Sequence, residues 1–216
     1  MMDPRPFRVK NVMSSAGFPD VFLTPRLRAQ RMSQAHLPFI EKMHANADVM
    51  ATMGGTRDAA ASRLYLAQNE AHWMDHGYGM YVLEDREMGR LAGRAGLKYT
   101  VSDEQGAIEL AYAFEPECWG RGYAMEISGA LITLGFKLLP VDVLCGVAIQ
   151  SNTASRRVLE KSGMRYVSKA AGNGDTVKVR YEIRRADWRV LQDPAHDDTR
   201  PARQGLADDN TRQPRR

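Results

Sequence analysis

The stretch from Ile108 to Leu131 reads IELAYAFEPECWGRGYAMEISGAL. Apolar alternation up to Phe114 predicts a strand, which Pro116 ends. Gly120 and Gly122 then flank Arg121, and an apolar helical pattern follows at once, from about Tyr123 to Leu138. Ile127, Leu131, Leu134 and Leu138 make one face of that helix. Ile132, Phe136 and Leu139 make the other side apolar too, so the helix is expected to lie buried across a sheet. Strand, glycine turn and helix in this order present successive N–H groups, from Trp119 to Ala124, in front of a helix dipole. That arrangement binds a pyrophosphate without a metal. Gly120 and Gly122 let the backbone approach, and small Ala124 keeps the first turn open.

Two other phosphate motifs do not fit. A dinucleotide fingerprint needs a third glycine where Met125 stands, and its ribose-binding carboxylate belongs at the far end of the next strand. Asp142 instead precedes that strand, and Ile149 and Gln150 occupy its end. A P-loop needs Gly-Lys-Ser/Thr, which is absent.

Upstream, Leu27–Met32 reads as a strand. SQAHLPFIEKMHAN is a helix with Ser33 as N-cap, NADVMATMGG a short second one, and TRDAAASRLYLAQNEAHWMDHG a longer helix stopped by Gly77. YGMYVLED and RLAGRAGLKYT form an antiparallel hairpin around DREMG, and AIELAYAF is the third strand. Downstream, continuously apolar DVLCGVAI predicts a central strand covered on both faces. SNTASRRVLEKSGM is a helix capped by Asn152 and closed by Gly163. RYVSKAA and TVKVRYEIRR form a last hairpin. The fold class is therefore α/β or α+β, one mixed, mostly antiparallel sheet flanked by helices.

The chain has 216 residues, 44% hydrophobic and 26% charged, enough for one folded domain, which the patterning puts at 21–190. The segments 1–20 and 191–216 are too polar or aperiodic to offset their ordering entropy and are expected to be mobile. A net charge of +4 without a basic run interleaved with aromatics argues against a nucleic-acid surface. Two cysteines exclude a disulfide framework. MMDPRPFRVK lacks the apolar core of a signal peptide. The most apolar stretch, ALITLGFKLLPVDVLCGVAI, is broken by Lys137, Pro140 and Asp142, so no membrane span is expected. A reduced cytoplasmic protein is the expectation.

The segments IELAYAFEPECWGRGYAMEISGAL and SNTASRRVLEKSGMRYV together resemble the central strand, acetyl-CoA loop and second core motif of the GCN5-related N-acetyltransferase (GNAT) superfamily. The chain is most similar to its RimJ/RimL-type branch, which acetylates ribosomal-protein N-termini. Weaker similarity in LTPRLRAQ, DVMATMGG and HGYGMYVLE extends the resemblance over Leu23 to Trp188. It implies a GNAT fold splayed at the cofactor site, with acetyl-CoA as donor, a primary amine as acceptor and no metal; a homodimer is left open. The family loop falls on Trp119, Gly120, Arg121, Gly122, Tyr123 and Ala124, with Trp119 departing from the usual Gln or Arg. Tyr112 and Phe114 match strand positions whose backbone pairs with the pantetheine arm. Asn152 matches a polar residue that holds that arm.

The resemblance implies Glu109 as general base; burial among apolar neighbours raises a carboxylate toward useful basicity, although a structural ion pair or solvent exposure is the competing reading. Many relatives carry a tyrosine proton donor where Leu159 stands here. Ser155 reaches the same region and is assigned an assisting role, against plain helix capping. Glu126 reads as a first-turn structural carboxylate and Cys118 as a shielded thiol rather than a nucleophile. His72 and His76 read as exposed helix residues rather than metal ligands. Met43, Met50 and Met53 belong either to the acceptor cleft or to the core. Two other functions compete: acetylation of a polyamine, amino acid or antibiotic, and CoA binding without turnover.

Overall fold

The structure, a computed structural model, describes residues 17–102, 105–172, 174 and 176–191. The expectations for 1–16 and 192–216 lie outside the described residues. Its elements are strands β1 (Val21–Leu23) and β2 (Leu27–Arg31) and helices α1 (Leu37–Ala45), α2 (Ala47–Met50) and α3 (Ala59–His76). Strands β3 (Met80–Asp85), β4 (Arg90–Ser102) and β5 (Gln105–Phe114) follow, then helix α4 (Tyr123–Leu138) and strand β6 (Val143–Ile149). The last described elements are helix α5 (Thr153–Lys161), strands β7 (Arg165–Ala171) and β8 (Val177–Arg184), and helix α6 (Arg185–Leu191).

The strands form one sheet in the order β1-β2-β3-β4-β5-β6-β8-β7. Every neighbouring pair is antiparallel except β5 and β6. Those two are parallel and share only the register positions Glu109↔Cys145 and Leu110↔Gly146. Beyond Leu110 and Gly146 they separate. Paired strands lie about 4.8 Å apart, whereas packed helices need about 8–10 Å. Helices α4 and α5 start near the ends of these two strands and pack on each other, so their bulk forces the strands apart.

Helices α4 and α5 cover one face of the sheet. The main core there includes Leu97, Leu110, Ile127, Leu131, Phe136 and Leu144. The buried stripe of α4 also takes in Ser128 and Gly135, while Leu134 and Leu138 stay half-exposed. Gly135 is needed there: a Cβ would lie 2.9 Å from the methyls of both Leu97 and Leu144. Helices α1 and α3 cover the opposite face over β3–β5, with Met32, Ile40, Leu66, Met80 and Val82 as a second, smaller core.

Strand β6 departs from the sequence expectation. Leu144, Gly146 and Ala148 pack under the helices; on the other face Cys145 is 1% exposed, but Val143, Val147 and Ile149 are only half-buried. Its apolar run predicts two covered faces because periodicity cannot sense that α1–α3 stop at β5. Strand β1 and helix α6 escape sequence reading, being short and without clear period. Both pack through aromatics: Phe22 edge-on to Tyr81, and Trp188 on Phe136. Phe18 and Pro19, assigned to the mobile segment, contact Tyr78 and accept a hydrogen bond from Tyr81.

Leu159, which stands where relatives carry a tyrosine, is 1% exposed and lies against Gly146 and Met164. Truncating it leaves a cavity under β6. Leu159→Ala is expected to cost about 2–5 kcal/mol, measured by urea unfolding.

Candidate functional site

The glycine turn lies where β5 ends. Gly120 and Gly122 both have left-handed φ, 71° and 80°, and Gly122 is the N-cap of α4. No protein group accepts from the N–H groups of Tyr123, Ala124 and Met125, and none from Gly120, Arg121 or Gly122 among the described residues. Unpaired N–H groups at the start of a 16-residue helix make an anion cradle. Its position is held from several sides. The indole N–H of Trp119 donates to the Phe114 carbonyl at 2.9 Å, and the Tyr123 hydroxyl donates to buried Asp85 at 2.6 Å. That donor holds the Asp85 carboxyl below its ordinary range. Glu126 accepts from the Thr24 hydroxyl, the Arg26 N–H and the Arg26 guanidinium at 2.6–2.8 Å, so it is the structural carboxylate that the sequence suggests.

Arg26 is a residue that sequence reading missed. Its guanidinium donates to the Arg121 carbonyl at 2.7 Å and stacks over the Tyr123 ring, which also carries Arg121. Two cations beside six free N–H groups fit a group bearing phosphates. Nothing local in LTPRLRAQ marks this role, because the contact spans 95 residues.

Asn152 caps α5 by accepting from the Ser155 N–H at 3.0 Å, and its side-chain amide donates to the Thr52 hydroxyl at 3.2 Å. Thr52, just past α2, thus ties the first helices to α5 across the divergence of the strands. Ser155 is more than a capped position. Its Oγ lies 3.0 Å from the Tyr112 hydroxyl, which also donates to the Ser155 carbonyl. Burial pushes the Tyr112 phenol up to about 12, so it keeps its proton at neutral pH. Position 159 of α5 carries leucine, and the tyrosine that does meet Ser155 comes from β5, a contact visible only in space. Phe114 is buried and faces Tyr123.

Glu109 occupies the vertex where β5 and β6 part, on the face opposite α4. It is half-buried and makes no ion pair within 4 Å among the described residues, although Lys98 is its register partner. Burial raises its pKa; Lys98, Lys178 and Arg180 act against that without cancelling it.

The remaining candidates have structural explanations. Cys118 is 3% exposed, and burial raises its thiol pKa. His72 is half-buried rather than exposed: Nδ1 lies 2.8 Å from the Tyr78 carbonyl and Nε2 accepts from the Tyr99 N–H at 2.8 Å. Both ring nitrogens are therefore committed to backbone, which excludes the metal pair with His76. Among the described residues there is no group of three or more residues able to hold a metal ion, and no helix is long and apolar enough to cross a membrane. Met43 and Met50 are fully buried, whereas Met53 places its sulfur 3.5 Å from the Arg94 guanidinium.

Comparison with known proteins agrees with this geometry. The family model described as the acetyltransferase (GNAT) domain matches residues 26–165, more than half of the chain. The uncharacterized protein YkkB of Bacillus subtilis (strain 168) is 30% identical over 119 residues, 55% of this chain and 69% of YkkB. The FsC-acetyl coenzyme A-N(2)-transacetylase of Aspergillus fumigatus is 30% identical over 94 residues, 40% of each chain. Among solved structures, an acetyltransferase from Agrobacterium tumefaciens superposes with TM-score 0.68 at 22% identity, covering 79% of this chain and 96% of that one. RimL, a ribosomal L7/L12 alpha-N-protein acetyltransferase in complex with coenzyme A, gives 0.64 at 14% identity, covering 76% and 97%. The spermidine N-acetyltransferase of Vibrio cholerae, with CoA and spermine, gives 0.63 at 16%, covering 76% and 98%.

Proposed function

The chain belongs to the GNAT acetyltransferase family, an acetyl-CoA-dependent N-acetyltransferase, and from that premise we propose direct transfer to an α-amine with Glu109 as base and Ser155 assisting. The observation that carries this reading is the parting of β5 and β6 immediately after Glu109, with the six-N–H cradle at the end of the same strand. Residues Gly120 to Met125, helped by Arg26, bind the phosphates of the donor; the Trp119 N–H, expected in the cradle, is instead taken by the Pro116 carbonyl at 3.1 Å, so Trp119 serves the turn through its indole. The facing edges of Ala111–Phe114 and Val147–Ile149 take its pantetheine arm as an added strand, with Asn152 beside it. The CoA thioester supplies an activated acetyl carbon and a thiolate leaving group.

Glu109, as carboxylate, accepts the proton of the attacking amine through a bridging water. An α-amine, with pKa about 8, is appreciably neutral at physiological pH, whereas a lysine near about 10.4 is almost wholly charged. The α-amine therefore demands less of a half-buried carboxylate. Strand N–H groups polarise the thioester carbonyl. Ser155 hydrogen-bonds the departing sulfur with the Tyr112 phenol behind it at 3.0 Å; burial leaves that phenol a weaker acid than a thiol, so the thiolate takes its proton from solvent. RimL acts on a protein α-amine and the Aspergillus relative on an N(2) position by name, which supports an α-amine type of acceptor here. Two buried free cysteines fit a reducing, cytoplasmic setting.

Thiol release from acetyl-CoA over a panel of peptides and small amines tests the assignment. Release stimulated at least about 10-fold by α-amines over matched ε-amines is expected. Acetyl-CoA binding without release under any amine would make the chain a CoA-binding module instead.

A further inference from the structure

Arg94 lies on β4 opposite Ala113, on the face of the sheet that Glu109 also occupies. It is 6% exposed, and among the described residues no carboxylate comes within 4 Å of it. Its Nη1 donates to the Tyr65 hydroxyl, and its guanidinium stacks on the Tyr65 ring at 4.7 Å. The other edge is different. Nε is buried without a hydrogen-bond partner, and Nη2 meets only the Met53 thioether at 3.5 Å. The Nε–Nη2 edge is one that a carboxylate grips with two parallel hydrogen bonds. In this protein a weakly accepting sulfur stands in its place.

The surroundings are cationic as well. Arg57 shares the Tyr65 ring at 5.4 Å and likewise has no described carboxylate within 4 Å. His44 is fully buried with Nδ1 at 2.9 Å from the Ser62 hydroxyl, and its Nε2 has no partner. Glu115, just past β5, pairs through one oxygen with Lys42 at 3.0 Å, and its other oxygen is buried without a hydrogen-bond partner. A buried, uncompensated guanidinium is costly to a fold, and proteins keep buried charges paired or ligated. Burial first, then the Arg94 and Arg57 charges, depress the His44 pKa to about 4.

The position is informative. Between Glu109 and Arg94 the same face of β4 and β5 carries only the small residues Ala111, Ala113 and Gly96, a stretch about 13 Å long at strand spacing that Met43 and Val49 cover at its Ala113 end. Met53 follows Thr52, which bonds Asn152 at the mouth of the divergence. We propose that Arg94, supported by Arg57, receives a carboxylate of the acceptor, so that the substrate is an amine bearing its own carboxylate, a free amino acid or an acidic N-terminal residue. The inference rests on the acetyl-transfer reading for the amine end only. Met53 has three rotatable bonds and swings aside as the carboxylate takes its place on Nε and Nη2. A polyamine has the wrong sign for this site.

The test compares amines that differ only in charge. Acetylation of free L-amino acids is measured against the same amino acids as carboxamides, with Asp-Ala-amide against Ala-Ala-amide to tell an acidic N-terminus from a free amino acid, and spermidine as the cationic arm. A kcat/KM preference of about 100-fold for the carboxylate member of a pair is expected, collapsing to within a few fold in Arg94→Gln. Equal rates for carboxylate and carboxamide, a spermidine preference, or a preference surviving in Arg94→Gln overturns the proposal while leaving acetyl transfer intact. Should Arg94→Gln not fold, the more exposed Arg57→Gln replaces it, with a smaller expected loss. Binding is read separately, by His44 imidazole NMR during titration with succinate, which has no amine. A saturable shift with a rising His44 pKa supports the site even if no amine turns over. No shift up to tens of millimolar succinate overturns it.

Discussion

Glu109→Gln is expected to lower kcat by about 10²- to 10⁴-fold while acetyl-CoA affinity stays within about 2-fold. The amide keeps the size of the carboxylate but cannot accept a proton, and Glu109 lies at the strand vertex rather than at the cradle, so donor binding has no reason to change. Glu109 works deprotonated, and burial raises its pKa, against the opposing Lys98, Lys178 and Arg180 charges. The rate therefore falls as pH drops through a limb lying above the ordinary glutamate value of 4.5. That limb vanishes in the Gln variant, whereas the limb set by the acceptor amine, near pH 8, stays. Isothermal titration with acetyl-CoA and a pH–rate profile separate the two effects. An unchanged profile in the variant would remove Glu109 as base and leave Tyr112–Ser155 as the polar chemistry at the divergence.

Gly122→Val is the second large effect, and it strikes the donor instead. At φ 80° an L side chain is strained, a β-branched one most of all, and a Cβ there also lies 3.4 Å from the Arg26 guanidinium. The strain costs about 1–3 kcal/mol, which the loop relieves by turning its N–H groups out of line. Loss of two charge-assisted hydrogen bonds to phosphate weakens acetyl-CoA binding by about 100-fold or more. Gly129→Ala is the control on the same helix: its position is exposed with nothing near the new Cβ. It is expected to stabilise the fold by about 0.5–1 kcal/mol and leave the acetyl-CoA Kd untouched. Calorimetry on both variants with unfolding curves alongside checks that affinity and stability move separately. Retained affinity in Gly122→Val would mean that the donor phosphates bind elsewhere.

The local framework of the proposed donor site was legible because its determinants are contiguous. Gly120, Gly122 and the helix that begins at Tyr123 are contiguous, and the Asn152 cap lies three residues from the Ser155 N–H it serves. The buttresses were not legible. Arg26 reaches Arg121 and Glu126, Asp85 reaches Tyr123, and Thr52 reaches Asn152, over separations of 38 to 100 residues. Such pairs leave no period and no motif. Of the two departures of the chain from the pattern it resembles, Trp119 and Leu159, the second leaves Ser155 to meet a tyrosine from a different element, Tyr112.

The sequence alone determined the order of the strands and helices other than β1 and α6, and the glycine turn before α4, since short-range backbone preferences and side-chain alternation are written residue by residue; the class of donor followed from the resemblance of two contiguous motifs to a family. The tertiary structure decided that β5 and β6 part just after Glu109, because only the bulk of α4 and α5 packed together forces that opening. It also decided that Arg94 is buried with no carboxylate within 4 Å among the described residues, since an arginine in a strand pattern says nothing of the charges that the fold brings, or fails to bring, against it.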